Sequence, residues 1–384
     1  MTNLKAIPRT RLLSLDVFRG LTVAAMILVN NPGDWSHIYA PLEHAEWNGC
    51  TPTDLIFPFF LFIVGVSISY ALGDKIGQEQ DHSKLMWTAL KRALILFGLG
   101  LFLAAFPTLF TDPVATLKEV RIPGILQRIS LVFFISALIF IKTKPQTQFK
   151  IMIGLLILYW LLMTYVPVPG LGYANLEKET NLGAWIDRTL LGEAHLWKLS
   201  VTWDPEGILG TIPAVSTGLF GVLAGSWLKR KDREESVKIA WMFSIGLIAI
   251  IAGLLWNLTF PINKALWTGS YVLYTGGLAT IGLALCYWLI DVRGYQQGIK
   301  PFVAYGINAL AAFFLSTLVA KTLNLPLVNL ADGTFYSTKY WLYKTFVVPH
   351  LSPLNASLAM AITYVVFWFL ILWFMYTKRI IIKI

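Results

Sequence analysis

The sequence predicts an all-α, polytopic membrane protein, and both its composition and its patterning support this. Hydrophobic residues make up 56% of the 384 residues, charged residues make up only 14%, and the mean hydropathy is +0.64. Soluble domains carry about 25% charged residues. The apolar residues are also grouped in runs of roughly 17–24 residues, the length at which a helix crosses the hydrocarbon core of a bilayer. We therefore expect a bundle of about ten transmembrane helices.

Ten predicted spans follow one another along the chain. They cover residues 14–31, 53–72, 86–107, 124–141, 149–165, 207–228, 237–257, 267–290, 301–320 and 354–376. With ten spans both termini lie on one side, which holds 20 Lys and Arg residues, while the other side holds nine and the spans hold two. The positive-inside rule then predicts that both termini are cytoplasmic. The first run has no small-residue cleavage site after it, which predicts a retained helix rather than a signal peptide.

A single transmembrane domain is predicted for residues 1–384. Its outer loops 31–52, 166–206 and 321–353 are long and rich in aromatic residues. We expect these loops to cover a site that opens outward, and rings resting at headgroup level are the alternative.

Net charge and small-residue spacing indicate the partners. The net charge of +10 is first a signal of membrane topology. As partners it indicates a lipid bilayer and anionic ligands, and no nucleic acid is predicted as a partner. Cys50 lies at an outer loop and Cys286 near the opposite end of a later helix, so no disulfide is predicted. Gly221 and Gly225 form a small-residue pair that is compatible with a homodimer. The sequence holds no Walker loop, Rossmann glycine motif, serine-nucleophile elbow or metal-ligand spacing, so no metal is predicted.

The stretch from Ser14 to Gly65 is the candidate active site, because ionisable groups inside or between apolar runs mark function by default. The polar segment between its two runs holds Glu43, His44, Glu46, Trp47 and Asn48. His44 comes just before a helix that enters the membrane from outside, and imidazole is the best proton shuttle near neutral pH. Glu43 and Glu46 are candidates to orient the ring. A solvated loop histidine is the alternative.

Ionisable residues also mark the outer ends of other predicted helices. Asp54 follows Thr51 and Pro52, a pattern that predicts a helix start with Asp54 as the capping acid, and a site role is the alternative. Asp204-Pro-Glu206 is a helix start of the same type, in which capping explains Glu206 less well. Arg128 enters from the same face and needs a partner, which Asp54 or Glu206 can supply. Structural pairing and a site role both remain open for Arg128.

A second group of charges lies at the cytoplasmic end of the first span. Asp16 and Arg19 are three residues apart and can pair with each other, and Arg19 can also snorkel. Arg11, Lys91 and Arg92 lie at the same level, where a basic cluster can hold the phosphates of an anionic cofactor. Ordinary positive-inside anchoring is the alternative.

The helix length connects the two groups. Eleven residues lead from Arg19 to Asn30 at the other end of the run, about 16 Å of helix. A long, thin cofactor such as coenzyme A can bridge that distance.

Several motifs resemble those of the heparan-α-glucosaminide N-acetyltransferase family, from about residue 11 through most of the chain. They are Ser14-Leu-Asp-Val-Phe-Arg-Gly20, Val29-Asn30, His44-Ala-Glu-Trp-Asn-Gly49, Asp54-Leu-Ile-Phe-Pro, Arg121-Ile-Pro-Gly-Ile-Leu-Gln-Arg128, Asp204-Pro-Glu-Gly-Ile-Leu-Gly-Thr-Ile-Pro213 and Pro261-Ile-Asn-Lys-Ala-Leu-Trp267. The resemblance implies transfer of an acetyl group from cytoplasmic acetyl-CoA to a glucosamine amine across the membrane. It also implies that His44 is the catalytic histidine and Asn30 an active-site asparagine, with Arg11 and Arg19 near the cofactor.

The resulting hypothesis is a multi-pass N-acetyltransferase of a bacterial inner membrane that acts on an aminosugar or glycan end. His44 is its general base or acetyl carrier, and Asn30 stabilises the oxyanion. The candidate residues for binding acetyl-CoA are Arg11, Arg19, Arg92 and Arg128. Supporting roles fall to Asp16, Glu43, Trp47, Asn48, Asp54 and Glu206. A transporter of a small anionic or sugar solute, and an O-acyltransferase, are the alternatives.

Overall fold

The computed structural model describes residues 12–76, 82–329 and 335–382, which form a bundle of α-helices. The helices are α1 (Leu13–Val29), α2 (Ile56–Ile76), α3 (Ser83–Ala105), α4 (Thr108–Thr111), α5 (Pro113–Glu119), α6 (Ile125–Lys142), α7 (Pro145–Tyr165), α8 (Leu182–Leu191), α9 (Thr211–Leu228), α10 (Glu235–Trp256), α11 (Gly269–Tyr287), α12 (Lys300–Ile307), α13 (Ala309–Leu323), α14 (Thr338–Leu342) and α15 (Pro353–Thr377). One antiparallel pair of strands, β1 (Pro326–Asn329) and β2 (Phe335–Ser337), lies between α13 and α14.

Eight helices within the described ranges are long and apolar enough to cross a membrane, which confirms the all-α, polytopic prediction. They are α3, α6, α7, α9, α10, α15, α2 with the 3-10 turn Pro52–Leu55 before it, and α11 with the π-helical turn Trp288–Val292 after it. The first predicted span corresponds to α1, which has 17 residues and is about 25 Å long. The count of ten spans and the cytoplasmic position of the termini stay predictions.

The ninth predicted span, 301–320, differs in shape from the prediction. It comprises α12 and α13, which meet at an angle of 80°. The break lies at Asn308, whose side chain binds the backbone near the C-terminal end: Nδ2 donates to the carbonyl of Ile380 at 3.0 Å, and Oδ1 accepts from Ile382 N–H at 2.9 Å. The chain bends there because the amide of Asn308 is engaged by another segment.

Glycines allow very close approach between helices, among them α2 and α9. A Cβ atom at Gly65 would lie 1.9 Å from the carbonyl oxygen of Gly218, and one at Gly221 would lie 1.9 Å from that of Phe62. Both distances are far shorter than any van der Waals contact, so only glycine fits at these positions. The contact matters for function because α2 begins at the candidate active site and α9 follows the Asp204-Pro-Glu206 segment.

Replacing Gly221 with alanine is therefore expected to destabilise the bundle by about 1–3 kcal/mol, the usual cost of forcing extra atoms into a packed core. The measurement is the melting temperature of the detergent-purified protein. Gly154→Ala is the matched control, since a Cβ at Gly154 meets nothing within 4 Å. Equal melting temperatures for the two variants would contradict the proposed packing.

Candidate active site

Asp54 lies at the entrance to α2 and serves as the capping acid that the sequence predicts. Pro52 opens the turn Pro52–Leu55. The carboxylate of Asp54 reaches back to Thr51 and accepts from its N–H at 3.0 Å, and the hydroxyl of Thr51 lies 3.1 Å away. The carboxylate also accepts from the N–H of Ala45 at 3.0 Å. Both of these hydrogen bonds use Oδ2, so Oδ1 is available for a further partner.

That partner is His44. Its Nδ1 lies 2.6 Å from Oδ1 of Asp54, and the carboxyl group is 1% exposed while the imidazole is 50% exposed. Because a carboxylate only accepts, Nδ1 is the donor and Nε2 of the neutral ring keeps its lone pair. A buried acid that fixes the tautomer of a solvent-accessible histidine is a suitable arrangement for a general base. The structure thus brings together His44 and Asp54, for which the sequence predicted separate roles.

Lys264 completes the cluster, and sequence reasoning did not assign it a role in the site. Its Nζ lies 3.0 Å from Nδ1 and 3.2 Å from Nε2 of His44, and 3.6 Å from Oδ1 of Asp54. Its side chain is 22% exposed. Burial lowers the pKa of the Lys264 ammonium, and the nearby carboxylates of Asp54 and Glu206 oppose that shift. The available signal was the Pro261-Ile-Asn-Lys motif, which carries a lysine in an otherwise apolar stretch.

Two hydrogen bonds join the Lys264 segment to the His44 loop. The N–H of Gly49 donates to the carbonyl of Ile262 at 2.7 Å, and Nδ2 of Asn263 donates to Oδ1 of Asn48 at 3.1 Å. Trp267 follows in the left-handed region, with φ at 57°, and its indole is 1% exposed. A bulky residue keeps that conformation only where its surroundings fix it. The segment therefore holds Lys264 against the ring.

Cys50 lies in the same region but does not serve as a nucleophile. Burial, together with the nearby charge of Asp54, raises the pKa of its thiol to about 12. The thiolate is the reactive form of cysteine, so this side chain is inert near neutral pH.

The other residues of the predicted polar segment have different partners from those expected. Asp54, rather than Glu43 or Glu46, orients the imidazole: Glu43 offers its carbonyl to the hydroxyl of Thr51 at 2.6 Å, and the carboxylate of Glu46 is almost fully exposed. Trp47 donates from Nε1 to the carbonyl of Leu176 at 3.0 Å. This bond attaches the loop 166–206 to the loop that carries His44.

At the other end of α1, two members of the predicted cofactor cluster, Arg19 and Arg92, line one cavity of about 510 Å³. Lys75 and Lys84 also line it, which the sequence analysis did not single out. Arg19 pairs with Asp16 at 3.2 Å, the expected contact, and donates to the hydroxyl of Ser67 at 2.8 Å.

The cavity follows α2 from Lys75 to Phe60, about 22 Å of helix. Arg11 lies outside the described residues.

A family model described as heparan-alpha-glucosaminide N-acetyltransferase, catalytic, matches residues 11–254. The chain belongs to this family. The heparan-alpha-glucosaminide N-acetyltransferase of Homo sapiens is 32% identical over 358 residues, and that of Mus musculus is 31% identical over 351 residues. The alignments cover 81% and 79% of this chain and 53% of each relative. The chain thus spans about half the length of the curated relatives that it matches.

Within this heparan-alpha-glucosaminide N-acetyltransferase family member, the matched range includes His44, Asp54, Arg19 and Arg92 and ends before Lys264. It also includes Asn30, which caps α1: its N–H donates to the carbonyl of Met26 at 3.2 Å, and its side chain is exposed. The oxyanion role of Asn30 stays a prediction.

Arg128 lies apart from the Arg19–Arg92 cavity, unlike its predicted grouping. It is 2% exposed and donates to the carbonyls of Pro205 at 2.9 Å and Gly207 at 2.8 Å. Its guanidinium also lies 5.2 Å from the ring centroid of Trp267. These contacts stabilise the segment before α9 and indicate a structural role, with backbone carbonyls rather than Asp54 or Glu206 as partners.

Glu206 is bound by a different arginine. Arg121 donates to Oε2 of Glu206 at 2.5 Å and to both carboxylate oxygens of Asp204, at 2.6 and 2.8 Å. The hydrogen bonds from Arg121 lower the pKa of Asp204, but its burial has the larger effect and raises it. Because this ion cluster holds residues 204–206, the helix expected from residue 207 begins only at Thr211.

Proposed function

We propose that this protein is a membrane-embedded N-acetyltransferase. It moves an acetyl group from cytoplasmic acetyl-CoA to the amine of a glucosamine-type sugar on the outer side of the membrane. The observation that supports this most is the half-exposed imidazole of His44 held by the buried carboxylate of Asp54, in a member of this family. The proposed setting is a bacterial inner membrane, with a homodimer as the proposed assembly.

His44 acts as the general base in this proposal. The sugar amine must lose a proton as it attacks the acetyl carbonyl carbon, and Nε2 of His44 accepts that proton. The carbon–sulfur bond then breaks, and the departing thiolate of coenzyme A takes the proton back from the imidazolium. Asp54 holds Nδ1 throughout, and Asn30 donates a hydrogen bond to the oxyanion. We favour direct transfer, because an amine bound beside the thioester needs no acetyl-histidine intermediate.

The cavity of Arg19 and Arg92 is the proposed site for acetyl-CoA. Its four basic side chains, Arg19, Lys75, Lys84 and Arg92, suit the phosphates of coenzyme A, because guanidinium and ammonium groups bind phosphate oxygens strongly. The same cavity follows α2, and its length suits the long, thin arm of coenzyme A, which would point toward Asp54. Only six residues, about 9 Å of helix, separate Phe60 from Asp54.

The test is acetylation of glucosamine by the purified protein with acetyl-CoA, followed by mass spectrometry of the sugar. N-acetylglucosamine is the expected product, and glucose serves as the control for transfer to a hydroxyl group. An acetylated glucose would favour O-acylation. Absence of acetyl-CoA binding would contradict the proposal and favour a transporter, for which the broken pair α12 and α13 is a known type of feature.

Replacing Arg92 with glutamate is expected to weaken acetyl-CoA binding by at least about tenfold, since a charge-assisted hydrogen bond contributes about 1.5–3 kcal/mol. Isothermal titration calorimetry on the detergent-purified protein measures this. Lys91→Glu is the matched control, because Lys91 is exposed beside Arg92 and contacts the ring of Trp87 instead of the cavity. An equal loss of affinity in both variants would indicate a general surface-charge effect and exclude a specific site.

A further inference from the structure

We propose that Lys264 is a positioning residue whose ammonium group keeps the imidazole of His44 unprotonated, so that the ring is available as a base. The inference rests on the proposed function, because it says which residue controls the charge of His44 in the same site. Its central claim is nevertheless independent of acetyl transfer, since the protonation of His44 can be measured in the resting protein.

The first argument is geometric. Nζ of Lys264 is almost equally distant from the two ring nitrogens of His44, at 3.0 and 3.2 Å. A donor bound along the lone pair of one ring nitrogen, in the ring plane, would be much farther from the other nitrogen. Nδ1 is also already occupied as the donor to Asp54 at 2.6 Å. The ammonium therefore lies over the ring and leaves the Nε2 lone pair open to an incoming substrate.

The second argument is electrostatic. A cation over an aromatic face is attracted to the neutral ring, whereas it is repelled by an imidazolium. Asp54 acts in the opposite direction, because a buried carboxylate hydrogen-bonded to histidine favours the imidazolium. Without the lysine, Asp54 would shift the balance toward the protonated ring, which is the form that cannot act as a base. Lys264 offsets that effect. Asp54 therefore orients the ring of His44, and Lys264 keeps the ring neutral.

The surroundings of the three groups support the assignment. Asp54 comes from the start of α2 and Lys264 from the segment between α10 and α11, while Glu206 and Cys50 are the other titratable groups that act on Lys264. The lysine is largely buried, and a buried charge is retained where carboxylates compensate it. The hydrogen bonds from Gly49 and Asn263 between the two loops fix its distance to the ring.

The experiment follows the reaction of His44 with diethyl pyrocarbonate, which modifies only the neutral imidazole. The rate at residue 44 is measured by mass spectrometry of its peptide between about pH 5 and 9. In Lys264→Met the half-point of this rate is expected to rise by at least about one pH unit, the effect of a unit charge at this distance even in water. Lys264→Arg restores the charge and is expected to keep the half-point near that of the unmodified chain.

Lys198→Met is the matched control, because Lys198 is an exposed lysine of the same outer face that pairs with Glu119 at 3.1 Å. Its half-point is expected to stay unchanged. If Lys264→Met fails to assemble, Lys264→Gln provides the same loss of charge. An unchanged half-point in the neutral variant, or equal shifts in the methionine and arginine variants, overturns the inference.

Acetylation of glucosamine by the same samples separates the two proposals. A shifted half-point without any transfer activity would leave the role of Lys264 standing and remove the proposed function. Transfer activity whose acid limb does not move in Lys264→Met would do the reverse.

Discussion

Replacing His44 with alanine is expected to lower kcat for acetyl transfer by about 10²–10⁴-fold, the usual contribution of a general base. The KM for acetyl-CoA is expected to change little, because the proposed phosphate contacts lie at the other end of α1. Steady-state kinetics with glucosamine as acceptor measures both quantities.

His37 provides an unusually close control for this substitution. It lies in the same loop, and its Nδ1 also contacts a carboxylate, Oδ2 of Asp34, at 2.8 Å. The two differ in the acid: the side chain of Asp34 is 35% exposed, whereas that of Asp54 is 1% exposed. His37→Ala is therefore expected to retain most activity. Comparable losses in the two variants would show that the loop, and not the imidazole of His44, limits the rate.

Replacing Asp54 is expected to have the second largest effect, on both stability and rate. Asp54→Ala removes the acceptor of three hydrogen bonds in a buried position, which is expected to cost about 3–5 kcal/mol of stability. Asp54→Asn retains the size of the side chain. Its NH2 group, however, must face either Nδ1 of His44 or the backbone N–H donors, and it cannot accept a hydrogen bond from them. The kcat of this variant is expected to fall by at least about 100-fold, because the histidine tautomer is no longer fixed.

Thermal unfolding and kinetics together test this pair of variants. Asp34→Asn is the control, since it removes the charge beside His37 in the same loop, at a partly exposed position. A stable Asp54→Asn protein with full activity would contradict the role of Asp54 in orienting His44.

The membrane-spanning helices could be predicted well from the sequence because each depends on a local property, a long apolar run. The break at Asn308 could not, since the run 301–320 is uncharged throughout and the bend depends on contacts with Ile380 and Ile382, more than 70 residues away. The start of α9 shifted for the same kind of reason. Arg121 holds Asp204 from a distance of 83 residues, and no local pattern contains that information.

The active site shows the same division. Thr51 and Pro52 predicted the capping function of Asp54 correctly, because capping is a contact within one turn. That the same carboxylate also holds His44 depends on how the loop folds back over the helix start. Lys264 lies 220 residues from His44, so neither spacing nor composition connects them. Glu43 and Glu46 were predicted to orient His44 because they are near it in sequence. In the structure both are exposed to solvent.

The short interval of α2 between the inner cavity and His44 has a consequence for the membrane itself. Phe57, Phe60 and Leu61 are buried along this part of α2. An open water channel at this point would let protons leak across the bilayer whenever the imidazole exchanged with solvent. We expect these apolar side chains to exclude water and so to prevent a proton leak. They move apart when the thin arm of acetyl-CoA enters for one turnover, and they close again once coenzyme A leaves.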